Sequence, residues 1–184
     1  VLNTCGFIES AKSEAIENIL ELAQLKEQGK LKKLLVTGCL TQRYANEIRQ
    51  ELPEVDGMMG TGSYTEVVSA VEELMAGRKA EHFAGINTTY EDGERLVTTP
   101  SYTAYLKIAE GCSNGCAFCI IPKLRGRYRS RTMGAVLKEA RELADSGVRE
   151  LIVIAQDITR YGLDLKDGTT LAGLLRELCR MDFH

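Results

Sequence analysis

Residues 110–122, EGCSNGCAFCIIP, place Cys112, Cys116 and Cys119 within eight residues of one another. A structural zinc site takes four ligands, commonly as two C-x-x-C pairs, and a disulfide oxidoreductase takes one such pair. Three thiolates at the spacing C-x-x-x-C-x-x-C fit neither pattern well. They fit a cubane iron–sulfur cluster anchored at three of its four irons, with the fourth iron open to a substrate or cofactor. The alternatives are a structural zinc loop with a distant fourth ligand, or thiols buried by coincidence. Cys5, in NTCGFI, and Cys39, in TGCLTQR, are far from this loop in sequence, and taken alone such isolated thiols are more often core residues. Cys179 adjoins the apolar face of the last helical pattern and reads as a core thiol. The two histidines, His82 and His184, are not near any cysteine in sequence, so imidazole contributes little to a metal site here.

These groups need a scaffold. VLNT leads as a strand to Cys5. A helix follows over about residues 10–28, with Ile16, Ile19, Leu20 and Ala23 on one face and Gly29 as its stop. KKLLVTG reads as a buried strand ending at Gly38. A helix from about Thr41 turns Tyr44, Ala45, Ile48 and Leu52 inward. VDGMM is a short strand. Ser63 and Glu66 spell a capping box for a helix carrying Val67, Val68, Val71, Leu74 and Met75, ended by Gly77. Such alternation predicts a parallel sheet. Residues 79–101 are polar, with turn signals at Asp92-Gly93 and Pro100, and read as a linker between domains at 1–78 and 102–184. Beyond it, YTAYLKIAE is a strand feeding the cysteine loop, and RGRYRSR is a second strand. Thr132 caps a helix with Val136, Leu137, Ala140, Leu143 and Ala144 inward, closed by Gly147. RELIVIA is a third strand, and a last helix carries Leu171, Leu174, Leu175 and Leu178.

This order puts the cysteine loop at the C-terminal edge of a parallel sheet, where α/β folds place their chemistry. Gly111 and Gly115 allow the backbone close to a cluster, and Phe118, Ile120 and Ile121 supply an apolar wall around the sulfurs. Arg125, Arg127, Arg129 and Arg131 fall at every second residue, with Lys123 before them. In a strand they share one face, either solvated, or a general nucleic-acid patch, or paired with anions near the cluster, unless a bulge at Gly126 breaks the alternation. Gln156 and Asp157 follow LIVIA on the same edge, as site residues or, for Asp157, as a local turn cap.

The chain of 184 residues is 44% hydrophobic and 27% charged, ordinary for a globular protein. Its net charge of −3 gives no general attraction to nucleic acid, and direct DNA binding is not expected. The longest apolar runs are far too short to span a bilayer. With no export signal read at its start, six cysteines are expected to serve metal binding, catalysis or packing in a reducing cytoplasm rather than a disulfide framework. Val1 opens inside a strand and His184 closely follows a helix, so an internal fragment of a longer protein is expected.

The triplet with an aromatic residue before its last cysteine resembles the signature of radical S-adenosylmethionine (SAM) enzymes. YLKIAEGCSNGCAFCIIPKLRGRYRSR, followed by VIAQDITRYG, resembles methylthiotransferases of that family over nearly the whole chain. It is closer to the ribosomal-protein branch than to the transfer-RNA branch, which has a VVPYTRG type of sequence after the cysteines and GQNV where this chain has Ala155-Gln156-Asp157-Ile158. The resemblance implies an α/β chain: an N-terminal flavodoxin-like domain lacking its first strand, then the first half of a radical-SAM βα (partial TIM-type) barrel. It implies two 4Fe-4S clusters. Cys112, Cys116 and Cys119 would hold the one whose open iron is chelated by SAM, which one electron then cleaves to a 5′-deoxyadenosyl radical. Cys5 and Cys39 would be two of three ligands of an auxiliary cluster, the third lying upstream of Val1. SAM contacts are expected at Phe118, Arg129, Ser130, Arg131, Gln156 and Asp157. The implied reaction is methylthiolation of the β-carbon of an aspartate in small-subunit ribosomal protein twelve, with an electron donor of flavodoxin or ferredoxin type and no membrane partner. The fragment itself is expected to be inactive. A transfer-RNA adenosine methylthiotransferase and a zinc-stabilised binding module are the other readings.

Overall fold

The computed structural model describes residues 1–88 and 95–181; the expected turn at Asp92-Gly93 and the terminal His184 lie outside the described residues. The chain forms two compact units, Val1–Thr88 with Ala117–Arg125, and Thr89–Cys116 with Gly126–His184.

The first unit is built on a parallel sheet of β1 (Leu2–Thr4), β2 (Leu35–Gly38), β3 (Gly57–Met59) and β4 (Ala80–His82), paired in that order. β2 is buried along its whole length because both faces of the sheet are covered. Successive side chains of a strand point to opposite faces. Val36 and Met58 pack with Ala15 and Ile19 of α1 (Glu9–Glu27) and with Leu40 and Ile48 of α2 (Cys39–Glu51). Leu35, Met59 and Ala80 pack on the other face with Ala70 and Leu74 of α3 (Val67–Met75). Asp56 ties the entry of this sheet together, accepting from Lys26 Nζ at 2.7 Å, Lys33 Nζ at 3.1 Å and the Leu34 N–H at 2.8 Å. Burial alone would raise its pKa, but the two lysines and the amide outweigh burial and hold the carboxyl below its ordinary range.

Several local expectations are corrected. The buried stripe of α1 is Ala15, Ile19 and Ala23, so Leu20 is exposed and Ile16 half-buried. α2 begins at Cys39 rather than Thr41, directly from the strand, and bends at Tyr44 (φ −126°, ψ 33°). In α3 Val68 and Met75 are exposed. The span 79–101 opens with β4, a strand too short and polar to show a period; only Ala80 in it is buried. Ser63 and Glu66 do not form a capping box, since a 3-10 turn over Tyr64–Glu66 precedes α3. Ser63 Oγ accepts from the Ala84 N–H at 2.8 Å, and the Glu66 carboxylate meets His82 Nδ1 at 2.7 Å.

A short helix, α4 (Ile121–Arg125), also belongs to the first unit and packs on α2. Leu124 is buried, and its carbonyl accepts from Thr61 Oγ1 at 2.6 Å.

In the second unit β5 (Thr103–Lys107) pairs parallel with β8 (Glu150–Ile154), while β6 (Ala109–Glu110) pairs antiparallel with β7 (Arg129–Ser130). Ala104, Leu106 and Ile108 bury one face against Val136, Ala140 and Leu143 of α5 (Met133–Asp145) and Leu174 and Leu178 of α6 (Leu171–Cys179). Tyr105, Ile152 and Ile154 are exposed on the other face, the one that points inward in a βα barrel. Thr132 and Thr170 cap α5 and α6 by accepting from the Ala135 and Gly173 N–H groups. Leu175 is exposed, and so is Cys179, which is therefore not a core thiol: it stands one residue past buried Leu178, about 100° further round the helix.

His82 is bracketed on opposite sides of its ring, by Glu66 at Nδ1 and by Glu73 at Nε2 (3.2 Å). The hydrogen bond to Glu66 is the main cause of a pKa raised above the ordinary 6.5. The stabilisation is complete below that ordinary value and is lost as pH rises through the higher folded value. His82→Gln is expected to cost about 1 kcal/mol at pH 6, moderated by the 43% exposure of Glu66, and almost nothing at pH 9. Urea midpoints across that range check this; a difference independent of pH would refute it.

Candidate cysteine centres

Thr4, the last residue of β1, is in register with Gly38, the last of β2, and the residue after each is a cysteine. Cys5 and Cys39 therefore leave the same edge of the sheet from adjacent strands, whose backbones run about 4.8 Å apart. The approach is close enough to require glycine twice. A Cβ on Gly38, whose φ is +109°, would stand 2.3 Å from the Thr4 carbonyl oxygen, and one on Gly6 would stand 2.9 Å from Leu40 Cα. Cys39 is the first residue of α2 and is 7% exposed, whereas Cys5 is exposed. Arg125 of α4 donates from Nε to Cys39 Sγ at 3.2 Å, and Arg43 donates to the Gly6 carbonyl at 3.1 Å. Thr41 Oγ1 donates to the carbonyls of Gly38 and Met59, so the ends of β2 and β3 are locked together beneath these residues.

The triplet occupies a loop without helix or strand from Gly111 to Ile120. Cys112 and Cys119 are half-buried, Cys116 is exposed, and all three are free thiols. Three unpaired thiols in eight residues are the donor set that a three-ligand cluster takes. Among the described residues, no three His, Cys, Asp or Glu side chains are gathered tightly enough to hold a metal ion. Cys112 and Cys116 belong to the second unit and Cys119 to the first.

The first half of the loop is tied down in the second unit. Gly111 (φ +76°) is required by its own chain, since a Cβ there would meet the Arg127 carbonyl oxygen at 2.3 Å. The space around Gly115 is open. The Cys112 N–H donates to the Gly126 carbonyl at 3.1 Å, and the Tyr128 N–H to Ser113 Oγ at 3.0 Å. Asn114 donates to Asp157 Oδ2 at 2.8 Å and accepts from Arg160 at 3.1 Å. Phe118 is 94% exposed and walls off nothing; Ile120 and Ile121 are half-buried.

The arginine strand is corrected. Residues 121–125 are helical, Gly126 turns with φ +74°, and strand pairing covers only Arg129 and Ser130, so the four arginines share no face. Arg131 pairs with Glu139 and donates to the Lys107 carbonyl at 2.8 Å. Arg129 donates to the Arg127 carbonyl at 2.6 Å. Ser130 is buried and committed to Asp164, through its N–H at 2.8 Å and its hydroxyl at 2.6 Å, while accepting from the Gly162 N–H. Gln156 reaches Glu110 at 3.0 Å. Asp157 does cap a local turn, through the Thr159 hydroxyl and N–H, and its bonds to Thr159 and then Asn114 lower its pKa. Asn114 and Asp164 give no signal in the sequence because their partners are remote along the chain; Glu110 pairs with nearby Lys107 and is reached by Gln156 from further on. Cys39's arginine was read only as one of a charged row.

Residues 1–60 match the uncharacterized protein family UPF0004, and residues 106–178 match the radical SAM superfamily. The ribosomal protein uS12 methylthiotransferase RimO of Clostridioides difficile is 53% identical over 183 residues, covering 99% of this chain and 41% of that protein. The proteins of the same name from Thermoanaerobacter sp. and Desulforamulus reducens are 50% and 51% identical, covering 99% and 97% of this chain and 42% and 40% of those proteins. The chain thus spans about two fifths of the length of these relatives.

If the Asn114 bridge holds the first half of the loop, Asn114→Ala will speed amide exchange across residues 112–116 several-fold. It will leave global stability within about 0.5 kcal/mol, because the bridge is exposed. Unchanged exchange would show that the backbone contacts suffice.

Proposed function

We propose that this chain, whose residues 106–178 belong to the radical SAM superfamily and whose residues 1–60 belong to the family UPF0004, is the cluster-binding part of a methylthiotransferase acting on ribosomal protein uS12. The observation that carries this reading is identity of about one half to proteins of that name over nearly the whole of this chain.

In this reading Cys112, Cys116 and Cys119 hold one 4Fe-4S cluster, and Cys5 and Cys39 are two ligands of a second. When bound, such a cluster supplies one electron at low potential and an iron open to the amino and carboxylate groups of SAM. The chain's own residues do the rest of the positioning. The Cys112–Gly126 and Ser113–Tyr128 bonds fix the first thiol. Asn114, Asp157 and Arg160 hold the loop between the first two thiols. Phe118 offers a free aromatic face beside Cys119. Arg129, Gln156 and Asp157 supply polar groups toward SAM, while Ser130 and Arg131 act through Asp164 and Glu139. The net reaction places a methylthio group on the β-carbon of an aspartate of uS12. That C–H bond is far too weak an acid for a side-chain base, which is why radical chemistry is required. A one-electron donor of flavodoxin or ferredoxin class and a reducing, cytoplasmic setting follow from it.

In the full-length protein, alanine at Cys112, Cys116 or Cys119 is expected to reduce 5′-deoxyadenosine formation to background. Alanine at Cys5 or Cys39 is expected to leave 5′-deoxyadenosine formation in place and abolish the methylthio mass gain on uS12. Normal 5′-deoxyadenosine formation by Cys112→Ala would overturn the reading. So would anaerobic reconstitution that yields bound zinc and no iron. Transfer RNA assayed alongside uS12 distinguishes the two branches of the family.

A further inference from the structure

We propose that Arg125 is a positioning residue for Cys39, supplying a charged hydrogen bond to the sulfur of an auxiliary-cluster ligand. The inference rests on the assignment of Cys39 made above and adds a group that the cysteine pattern alone does not contain.

The contact is built from both sides. Arg125 Nε lies 3.2 Å from Cys39 Sγ, and the guanidinium carbon lies 6.0 Å from the centroid of the Tyr64 ring. The arginine cannot drift far, because the residue before it is anchored. Leu124 is 2% exposed, and its carbonyl accepts from Thr61 Oγ1 at 2.6 Å. Thr61 in turn donates its N–H to Gln42 Oε1 at 3.0 Å, and Gln42 belongs to the helix that Cys39 begins. Both partners thus hang on α2, one at its first residue and the other through the Thr61–Gln42 link. Sulfur is a weak acceptor as a thiol and a strong one as a thiolate, so a guanidinium donor matters most when Cys39 is a metal ligand. Hydrogen bonds and nearby positive charge at the sulfurs are among the factors that set a cluster's reduction potential, and both make the reduced, more negative state easier to reach.

The test uses the full-length protein with Cys112, Cys116 and Cys119 all changed to alanine, so that any cluster is the auxiliary one. After anaerobic reconstitution, its midpoint potential is read by EPR-monitored titration. Arg125→Gln is expected to move the midpoint to a more negative value, and Arg125→Lys to recover part of the shift. A midpoint unchanged in Arg125→Gln overturns the proposal. A double-mutant cycle in the metal-free protein reads the contact independently. The loss of urea midpoint on Arg125→Gln should be smaller when Cys39→Ala is already present, the contact with Tyr64 remaining in both backgrounds; equal losses in both backgrounds refute the contact. If the triple-alanine protein takes up no iron, the assignment of Cys5 and Cys39 falls and the tuning role falls with it, while the cycle still decides whether arginine and sulfur interact.

Discussion

Two strand ends in register are the constraint on which the first unit turns. Parallel pairing of Thr4 with Gly38 makes Cys5 and Cys39 neighbours although all of α1 and β2 separates them in sequence. The pairing is that close because neither Gly6 nor Gly38 has a side chain. A Cβ at Gly38 would collide with backbone, which cannot swing aside as a side chain can, and its positive φ would strain any other residue. The two glycines thus matter for the cysteines although neither could be a ligand. Behind them, Thr41 spends its one hydroxyl on the carbonyls at the ends of β2 and β3, so the edge is held by a buried polar group rather than by packing alone.

The triplet loop is held in a different way. It has no ladder of its own, so its order comes from bonds to neighbouring segments. Backbone meets backbone at Cys112 and Gly126, and exposed side chains bridge at Asn114. Such an arrangement fixes where the loop starts.

How much of this was legible in the sequence depends on the range of the interaction. Strands and helices whose apolar residues repeat were readable, and so was the edge of the first sheet from which Cys5 and Cys39 leave, because parallel alternation dictates it. The Thr132 cap was readable because its partner is three residues away. The Ser63–Glu66 box has the same local spelling and fails. Ser63 and Glu66 find Ala84 and His82 on the segment that adds β4 to the sheet, and β4 itself was hidden by its shortness. Asp164 and Asn114 could not be found from their neighbours in the chain, since what defines them is Ser130 and Arg160 arriving from elsewhere.

The row of arginines shows where a periodic argument stops. Spacing of two residues implies a shared face only while the backbone stays extended. Ile121 and Pro122 open a helical turn, a position where proline's fixed φ and missing N–H cost nothing. Gly126 then reverses the chain with a positive φ. The row is therefore divided: Arg125 turns to a thiol, Arg131 to Glu139, and Arg129 to the carbonyl of Arg127. Four like charges on one face would have demanded an external anion to offset their repulsion. Distributed in this way, Arg125, Arg129 and Arg131 are each met by a group of the chain itself.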